Sequence, residues 1–383
     1  MTVIVTKEQG EFVESFRTFL DQLDYRAHGL GIAWQEPEKE ERKWFYQALY
    51  ENGWTGVGWP KEFGGLGRSA IEQWLYIEEL SYRHLPFGGL TVTSIGPTII
   101  RFGTDNQKAE LLPKILRGDI DIAIGYTEPE AGSDLGSLRC QARRDGDVYR
   151  INGQKIFTTA AHYSTHIWLA ARTGTQEARG RGVSIILVPT TSKGITIHPL
   201  MTQSGGRTNQ VFFDDVVVPV DQRVGEENEG WNIIMSALSF ERIIPYGSVA
   251  RWFDLTSRLR SKPRATTELL EDSYDLRAME FAAELEISAL FAERTAREIE
   301  AGRVPNVEAS ISKVWLSEFR ERVAKTTLDF VGPEGQLGLG GDDAPAGGIF
   351  DYLYRLYPMM KIGGGNNEVQ RNIIAQRGLG LPR

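Results

Sequence analysis

The first 120 residues carry the hydrophobic spacing of α-helices. Apolar side chains in residues 12–23 recur every three or four positions, which places them on one face of a helix. The segment Thr6–Gln9 is a capping box, in which a threonine and a glutamine three residues later close a helix N-terminus. Ser69–Glu72 and Thr104–Gln107 repeat this pattern. The sequence therefore predicts a helical N-terminal domain over residues 1–120.

The hydrophobic period shortens between residues 121 and 228. Many short strands at regular spacing are typical of a barrel or sandwich, so we predict a β-barrel or β-sandwich as the middle domain. Its strands are expected where short apolar runs lie between turn residues, namely at Val148–Ile151, Ile167–Ala170, Val183–Val188, Ile195–Ile197 and Val211–Phe213.

The helical period returns from Trp231 onward. Residues 273–300 and 306–331 predict two long helices, and residues 366–377 predict a last, shorter one. We predict a C-terminal four-helix bundle over residues 229–383, and hence an α+β multidomain chain with α–β–α order. Within the first long helix we assign one broad apolar face to Leu276, Met279, Ala283, Leu285, Ala289 and Ala292.

Charge and composition exclude several classes of function. The net charge of −8 argues against a nucleic-acid partner, which would require a basic surface. No apolar run approaches the roughly 18 residues that span a bilayer, and the N-terminus lacks the features of a signal peptide. The five histidines and the single cysteine, Cys140, show no metal-ligand spacing. These features predict a cytoplasmic protein without a metal.

The segment Gly125–Ser137 is the most informative stretch of the chain. It follows an apolar strand-like run and is dense in turn-forming residues. It offers the hydroxyls of Thr127 and Ser133, several backbone N–H groups, and glycines that permit close backbone approach. The loop therefore predicts a surface for a large planar polar ligand, such as a flavin with its pyrophosphate.

This loop and three later stretches together resemble the signatures of the acyl-CoA dehydrogenase flavoproteins. The later stretches are Asn152–Thr159, Asp214–Trp231 and Gly363–Arg371, and they occur in the family's order. A single match of this kind would be weak, but four in the correct order cover nearly the whole chain. The resemblance implies the family's fold, and it implies FAD as the cofactor.

The family reaction is the α,β-dehydrogenation of an acyl-CoA thioester. A carboxylate removes the α proton while the β hydrogen leaves as hydride to flavin N5, and hydrogen bonds stabilise the enolate oxygen. By resemblance, Phe157 lies against the flavin where relatives usually carry tryptophan, although a core strand position is the alternative. Ser133 and Arg242 are expected to contact the substrate. The residues expected to bind the flavin are Tyr126, Thr127, Gly132, Ser133, Phe157, Thr159, Asn366 and Glu368.

The catalytic base departs from the common family pattern. Many relatives carry a glutamate at the position of Gly364, which here can offer only its backbone N–H to the thioester oxygen. Other relatives place the base on the first helix of the C-terminal domain, and the matching residue is Glu241. Its apolar neighbours predict partial burial, which raises the pKa of a carboxyl group toward a useful value. Glu368 is the second candidate for the base.

Half of the expected flavin site is missing. Homotetrameric relatives complete the site with an Arg-x-x-Phe-Gly motif and a Gln-x-x-Gly-Gly-x-Gly turn from a neighbouring subunit. Residues 253–263 lack the first motif, and Asp329–Gly335 replaces the second with a proline and acids. An acid beside a diphosphate is unfavourable, and proline removes a backbone donor.

These departures resemble the heterotetrameric (α2β2) acyl-CoA dehydrogenases that act on steroid side-chain CoA thioesters. They predict a paralogous partner subunit, a bulky steroid-type or branched acyl-CoA substrate, and an electron-transfer flavoprotein as acceptor. Three alternatives remain open. The chain could be a homo-oligomeric dehydrogenase of branched or medium-chain substrates, a non-catalytic flavin-binding subunit of a heteromeric complex, or an acyl-CoA oxidase.

Overall fold

The structure is a computed structural model that describes residues 6–28, 30, 39–86, 89–240 and 268–382. The described residues form two compact units. The helical unit contains the described residues that fall within Met1–Pro37, Arg68–Phe87 and Arg242–Arg383, and the sheet unit contains those that fall within Glu38–Gly67 and Gly88–Glu241.

Ten α-helices and eight strands make up the described part of the chain. The helices are α1 (Lys7–Gln22), α2 (Lys39–Glu51), α3 (Ala70–Tyr82), α4 (Gly96–Phe102), α5 (Asp105–Leu116), α6 (Gly230–Phe240), α7 (Glu268–Glu300), α8 (Asn306–Val331), α9 (Ile349–Met360) and α10 (Asn367–Ile373). The strands are β1 (Ile122–Gly125), β2 (Gln141–Asp145), β3 (Val148–Lys155), β4 (His166–Arg172), β5 (Val183–Pro189), β6 (Ile195–Met201), β7 (Arg207–Pro219) and β8 (Arg223–Val224). The predicted fold class, in which helices precede and follow a β region along the chain, is confirmed.

Local sequence signals set the helix starts. All three capping boxes are present, and in each the hydroxyl accepts a hydrogen bond from the third helical residue, whose side chain bonds back to the cap. Such a cap contributes about 1 kcal/mol to helix stability. Helix α8 begins at Asn306 and ends at Val331, as the apolar spacing predicts.

The predicted single face of α7 is wrong. Successive helical residues are turned by about 100°, so the six apolar residues fall on two opposite stripes rather than on one. Ala289 and Ala292 are buried, whereas Leu276 is 62% exposed and Met279 is 71% exposed. The exposed stripe consists of Leu276, Met279, Ala283 and Leu290.

The strands form one connected mixed sheet. Its order is β6-β7-β3-β2-β4-β5-β8, and β1 pairs in parallel with β4. Trp168 and Ala170 pack into a core that includes side chains of α4, α5 and α6, while Ile167 and Leu169 pack into a second core on the other face. Because both faces of β4 and β5 are buried, these strands appear in the sequence as continuous apolar runs.

A bulge shapes the end of β3. The register against β7 shifts between Ile151 and Gly153, and Gly153 has φ of 141°. A Cβ atom at this position would lie 2.7 Å from Cα of Cys140. Glycine is therefore required here, and the bend directs the last residues of β3 toward the loop that follows β1.

Candidate functional site

The loop after β1 is anchored from below by Tyr126. The Tyr126 hydroxyl accepts a hydrogen bond of 3.0 Å from the indole N–H of Trp168 on β4. Its backbone oxygen accepts a hydrogen bond of 3.0 Å from Nζ of Lys155 at the end of β3. Tyr126 is buried, so its side chain fixes the loop to the sheet rather than extending from it.

A buried ion pair ties this loop to two strands. Glu128 Oε1 lies 2.7 Å from Lys155 Nζ, and Lys155 has no exposed surface. The same carboxylate accepts backbone hydrogen bonds from Arg139 at 2.6 Å and from Cys140 at 2.9 Å. Both carboxylate oxygens are therefore hydrogen-bonded and the charge is paired, which is the condition under which a buried ion pair is tolerated. We call Glu128 and Lys155 the buried strap.

The strap joins two of the four sequence motifs. Next to it, the backbone N–H of Ile156 donates to the oxygen of Thr127 at 2.9 Å. The loop of the first motif and the strand end of the second are thus linked through both backbone and side chains. The roles of Glu128 and Lys155 were not predicted from the sequence, although Lys155 follows the inward alternation of Tyr149 and Ile151 along β3.

The chain turns sharply at Phe157. This residue has a left-handed φ of 58°, and its ring is 59% exposed. The alternative interpretation of Phe157 as a core strand residue is therefore wrong. Thr159 is also exposed, and its hydroxyl lies 3.1 Å from that of Thr208. A left-handed backbone at an aromatic residue is uncommon and is typical of functional sites.

The far side of the loop is held by arginines. Gly132 and Ser133 are exposed at its tip, and Asp134 pairs with Arg179. Below them the buried guanidinium of Arg172 donates to the backbone oxygens of Gly136 at 2.8 Å and Leu138 at 3.1 Å. The tip of the loop is therefore exposed to solvent, while the backbone that follows it is hydrogen-bonded to Arg172.

The predicted residues of the last motif lie together in the helical unit. Gly364 has a left-handed φ of 68°, and among the described residues no acceptor binds its N–H. The side chain of Asn366 caps α10 by accepting a hydrogen bond of 2.8 Å from Val369 N. Glu368 is exposed in the first turn of that helix, where a carboxylate complements the helix dipole.

Two predicted residues cannot be placed. Glu241 and Arg242, which directly follow α6 in the chain, lie outside the described residues. Residues 253–263 also lie outside them. The other altered half-site segment is described. Helix α8 ends at Val331, and Pro333 begins a short 3₁₀-helix in which both it and Glu334 are exposed.

None of the described helices has both the length and the apolar character needed to cross a bilayer.

Three domain families match the chain in order. The N-terminal domain of acyl-CoA dehydrogenases matches residues 6–119, the middle domain matches residues 123–216, and the C-terminal domain matches residues 228–379.

Individual relatives agree with this match. The chain is 37% identical over 345 residues to acyl-CoA dehydrogenase FadE26 of Mycobacterium tuberculosis, covering 87% of this chain and 86% of that protein. It is similar to the solved structure of the Tcur3481-Tcur3483 steroid ACAD, with 34% identity, complete coverage of both chains and a TM-score of 0.90. It is also similar to the ChsE4-ChsE5 complex of M. tuberculosis, with 33% identity, complete coverage of both chains and a TM-score of 0.88. The chain therefore belongs to the acyl-CoA dehydrogenase family of oxidoreductases, and its cofactor is FAD.

Proposed function

We propose that this chain catalyses the α,β-dehydrogenation of an acyl-CoA thioester, with Glu241 as the base that takes the Cα proton. When bound, FAD supplies the acceptor for the hydride that leaves Cβ. The observation that carries the proposal is the linked pair of motifs in the sheet unit, where the buried strap holds the loop after β1 against the end of β3, two residues before the exposed Phe157.

The exposed groups of this scaffold suit a flavin. Phe157 offers a flat apolar surface for a planar ring, and Thr159 offers a hydroxyl two residues away. Thr127, Gly132 and Ser133 lie on the adjoining loop, where backbone and hydroxyl groups suit the polar edge of the cofactor. In this proposal Tyr126 contributes to flavin binding by supporting the loop through its bond to Trp168.

Gly364 would activate the thioester. Its N–H is free of acceptors in the described part of the chain, and the left-handed backbone holds that N–H in an exposed turn. A backbone donor directed at the carbonyl oxygen stabilises the enolate charge that develops as the α proton leaves. Asn366 orders the start of α10 through its cap, and we assign it and Glu368 to flavin binding because both belong to the family motif at this turn.

Glu241 is tested by substitution. Glu241→Gln removes the base while keeping the size of the side chain, so rapid bleaching of the flavin by acyl-CoA should fall by about 10²- to 10⁴-fold while FAD stays bound. Glu368→Gln tests the second candidate for the base; because we place Glu368 beside the flavin, its bleaching rate is measured per bound FAD, and it should fall much less than that of the Glu241 variant. If the Glu241 variant bleaches normally and the Glu368 variant does not, Glu368 is the base instead of Glu241.

We assign Arg242 to substrate binding, so Arg242→Ala should raise KM more than it lowers kcat.

We propose a bulky substrate, of the steroid-CoA or branched acyl-CoA type, because the chain is similar to the solved structure of a steroid ACAD. A panel of CoA thioesters that differ only in the acyl group tests this choice by kcat/KM. A preference for straight medium chains would favour the ordinary dehydrogenase instead.

We also propose that the chain functions with a paralogous subunit in an α2β2 heterotetramer and passes electrons to an electron-transfer flavoprotein. Two features support a partner. The exposed stripe of α7 is the kind of apolar surface that marks interfaces, and Pro333 and Glu334 are ill suited to a diphosphate. Co-expression with the paralogue should give a complex containing FAD.

The alternatives predict different results in the same preparation. A stable homotetramer with one FAD per chain and full activity would refute the heteromer. Bound FAD without bleaching by any acyl-CoA would indicate a non-catalytic subunit. Hydrogen peroxide formation without an added electron carrier would indicate an oxidase.

A further inference from the structure

A buried lysine of α8 lies behind the glycine-rich turn at residues 362–366, which we call the C-terminal turn. Lys313 is 7% exposed, and its Nζ donates to the backbone oxygen of Lys361 at 2.9 Å and to Oδ1 of Asn367 at 2.6 Å. These two acceptors immediately flank the C-terminal turn. One ammonium group therefore bridges both of its ends.

The start of the turn is held by Ile362 N and Gly363 N, which donate to the Met359 oxygen at 2.9 and 3.1 Å, but its two left-handed glycines have few restraints. Gly364 and Gly365 have φ values of 68° and 88°, and the glycines of the turn are exposed. Asn367 N closes the turn by donating to the Lys361 oxygen at 2.9 Å, while Gln370 reaches the two glycine oxygens at only 3.4 Å. Glycine loses more conformational freedom on ordering than any other residue, so a fixed turn here requires external bonds.

The surroundings of Lys313 are charged on several sides. Asn367 is buried and also bonds Ser317 and Glu318 of α8, and Glu318 pairs with Arg371 of α10. Glu368 of α10 faces the lysine as well. Lys361 extends its own ammonium away from this cluster, to Glu321 at 2.6 Å.

The two direct acceptors of Lys313 are uncharged. Burial lowers the pKa of Lys313 to about 8, because the partly desolvated ammonium is disfavoured, although Glu368 and Glu318 oppose that shift. The lysine therefore titrates within the range in which enzymes are routinely assayed.

We propose that Lys313 is a positioning residue for activation of the thioester: its ammonium clamps the C-terminal turn so that the N–H of Gly364 stays directed at the thioester oxygen. This inference rests on the proposed function of Gly364. The lysine does not contact the reacting atoms; it acts through the carbonyl of Lys361 and the side chain of Asn367.

The clamp makes turn order and global stability respond oppositely to alkaline pH. Above pH 8 the neutral amine donates weaker hydrogen bonds, so the C-terminal turn loosens and thioester activation falls. The unfolded chain keeps its Lys313 protonated up to about pH 10.5, so between pH 8 and 10.5 it binds more protons than the folded chain. The contribution of this group to folding stability therefore rises with pH over the same interval.

The principal test uses Lys313→Met in the FAD-loaded complex with its partner subunit. The matched control is Lys361→Met, which removes a lysine charge from the same region but keeps the backbone oxygen that Lys313 binds. In Lys313→Met we expect the backbone amide hydrogen of Asn367 to exchange with solvent at least about 10-fold faster than in wild type. We also expect kcat/KM to fall about 10- to 100-fold, mostly through kcat, with loss of its decline above pH 8. The control should resemble wild type in both measurements.

Hydrogen exchange separates this proposal from the proposed function. If wild type has no activity on any acyl-CoA but the Lys313 variant still loosens the turn, the clamp stands and the assigned reaction fails. Unchanged exchange and an unchanged pH profile in Lys313→Met would overturn the clamp.

A second variant covers the case in which Lys313→Met does not fold. Glu318→Gln removes a charge that raises the pKa of Lys313, so the alkaline decline in kcat/KM should begin at lower pH. A decline that stays at the wild-type pH would contradict the role of Lys313.

Discussion

Two buried lysines hold glycine-containing motifs in different ways. In the sheet unit, Lys155 bonds the carboxylate of Glu128 at 2.7 Å, and that carboxylate accepts two further backbone hydrogen bonds. In the helical unit, Lys313 bonds only a backbone oxygen and an amide oxygen. The first cation is balanced by an opposite charge and the second is not. Because of this difference, we expect the chemical type of the acceptor, and not burial alone, to decide how removal of each lysine changes stability.

The largest expected effect is the loss of Lys155. Lys155→Met leaves the buried carboxylate of Glu128 without a counter-charge, so the free energy of unfolding should fall by about 3–5 kcal/mol. Urea denaturation of the FAD-loaded complex measures the change. The matched control is Arg150→Met on the same strand, whose pairs with Asp145 and Asp215 are exposed. Its loss should cost no more than about 1 kcal/mol.

A double variant sharpens the interpretation of Lys155. Lys155→Met combined with Glu128→Gln removes both charges, and it should recover part of the lost stability because a neutral amide is less costly to bury. If the double variant is as unstable as the sum of the two single variants, the uncompensated charge is not the cause of the loss.

A smaller effect is expected at Lys313. Lys313→Met leaves only uncharged acceptors behind and also removes a charge that burial disfavours, so the free energy of unfolding at pH 7 should change by less than about 2 kcal/mol. The measurement that identifies the role of Lys313 is the pH dependence of the free energy of unfolding. Wild type should gain stability from this group between pH 8 and 10.5, and the variant should lose that gain. Equal slopes in the two proteins would break the contrast between the lysines.

The smallest effect is a difference in labelling rate at the single cysteine. Burial raises the pKa of Cys140 to about 11, so its thiol should react slowly with a thiol reagent at pH 8. Because Cys140 N bonds Glu128, opening of the strap should expose it, and Lys155→Met should label faster than wild type. Lys313→Met should label at the wild-type rate, since that lysine belongs to the other unit.

Local patterns in the sequence predict much of the fold, but not the long-range pairs. Capping at Thr6, Ser69 and Thr104 depends on residues three positions apart, so the sequence alone reveals it. Strand β2 was not predicted because four of its five residues, Gln141–Asp145, are polar, and only Ala142 is buried. The apolar content of α7 alone does not separate its two stripes, because the separation depends on the angular position of each residue around the helix.

The candidate site shows the same limit more clearly. The motifs identify Phe157, Thr159 and Gly364 through resemblance, whereas Lys155 and Lys313 carry only a weak signal, their place on the buried side of an element. Their acceptors lie 27 and 48 residues away in the chain. No local spacing predicts such pairings, because they depend on how strands and helices pack after they form.

The bulge at Gly153 has a consequence for heredity. Every missense change of a glycine codon introduces a Cβ atom, and here that atom would lie 2.7 Å from the backbone of Cys140. The strand end that it would displace carries both Lys155 and the turn at Phe157. The geometry of the strap and of the exposed ring therefore depends on the absence of a Cβ atom at residue 153. No single-nucleotide missense change at this codon preserves that absence.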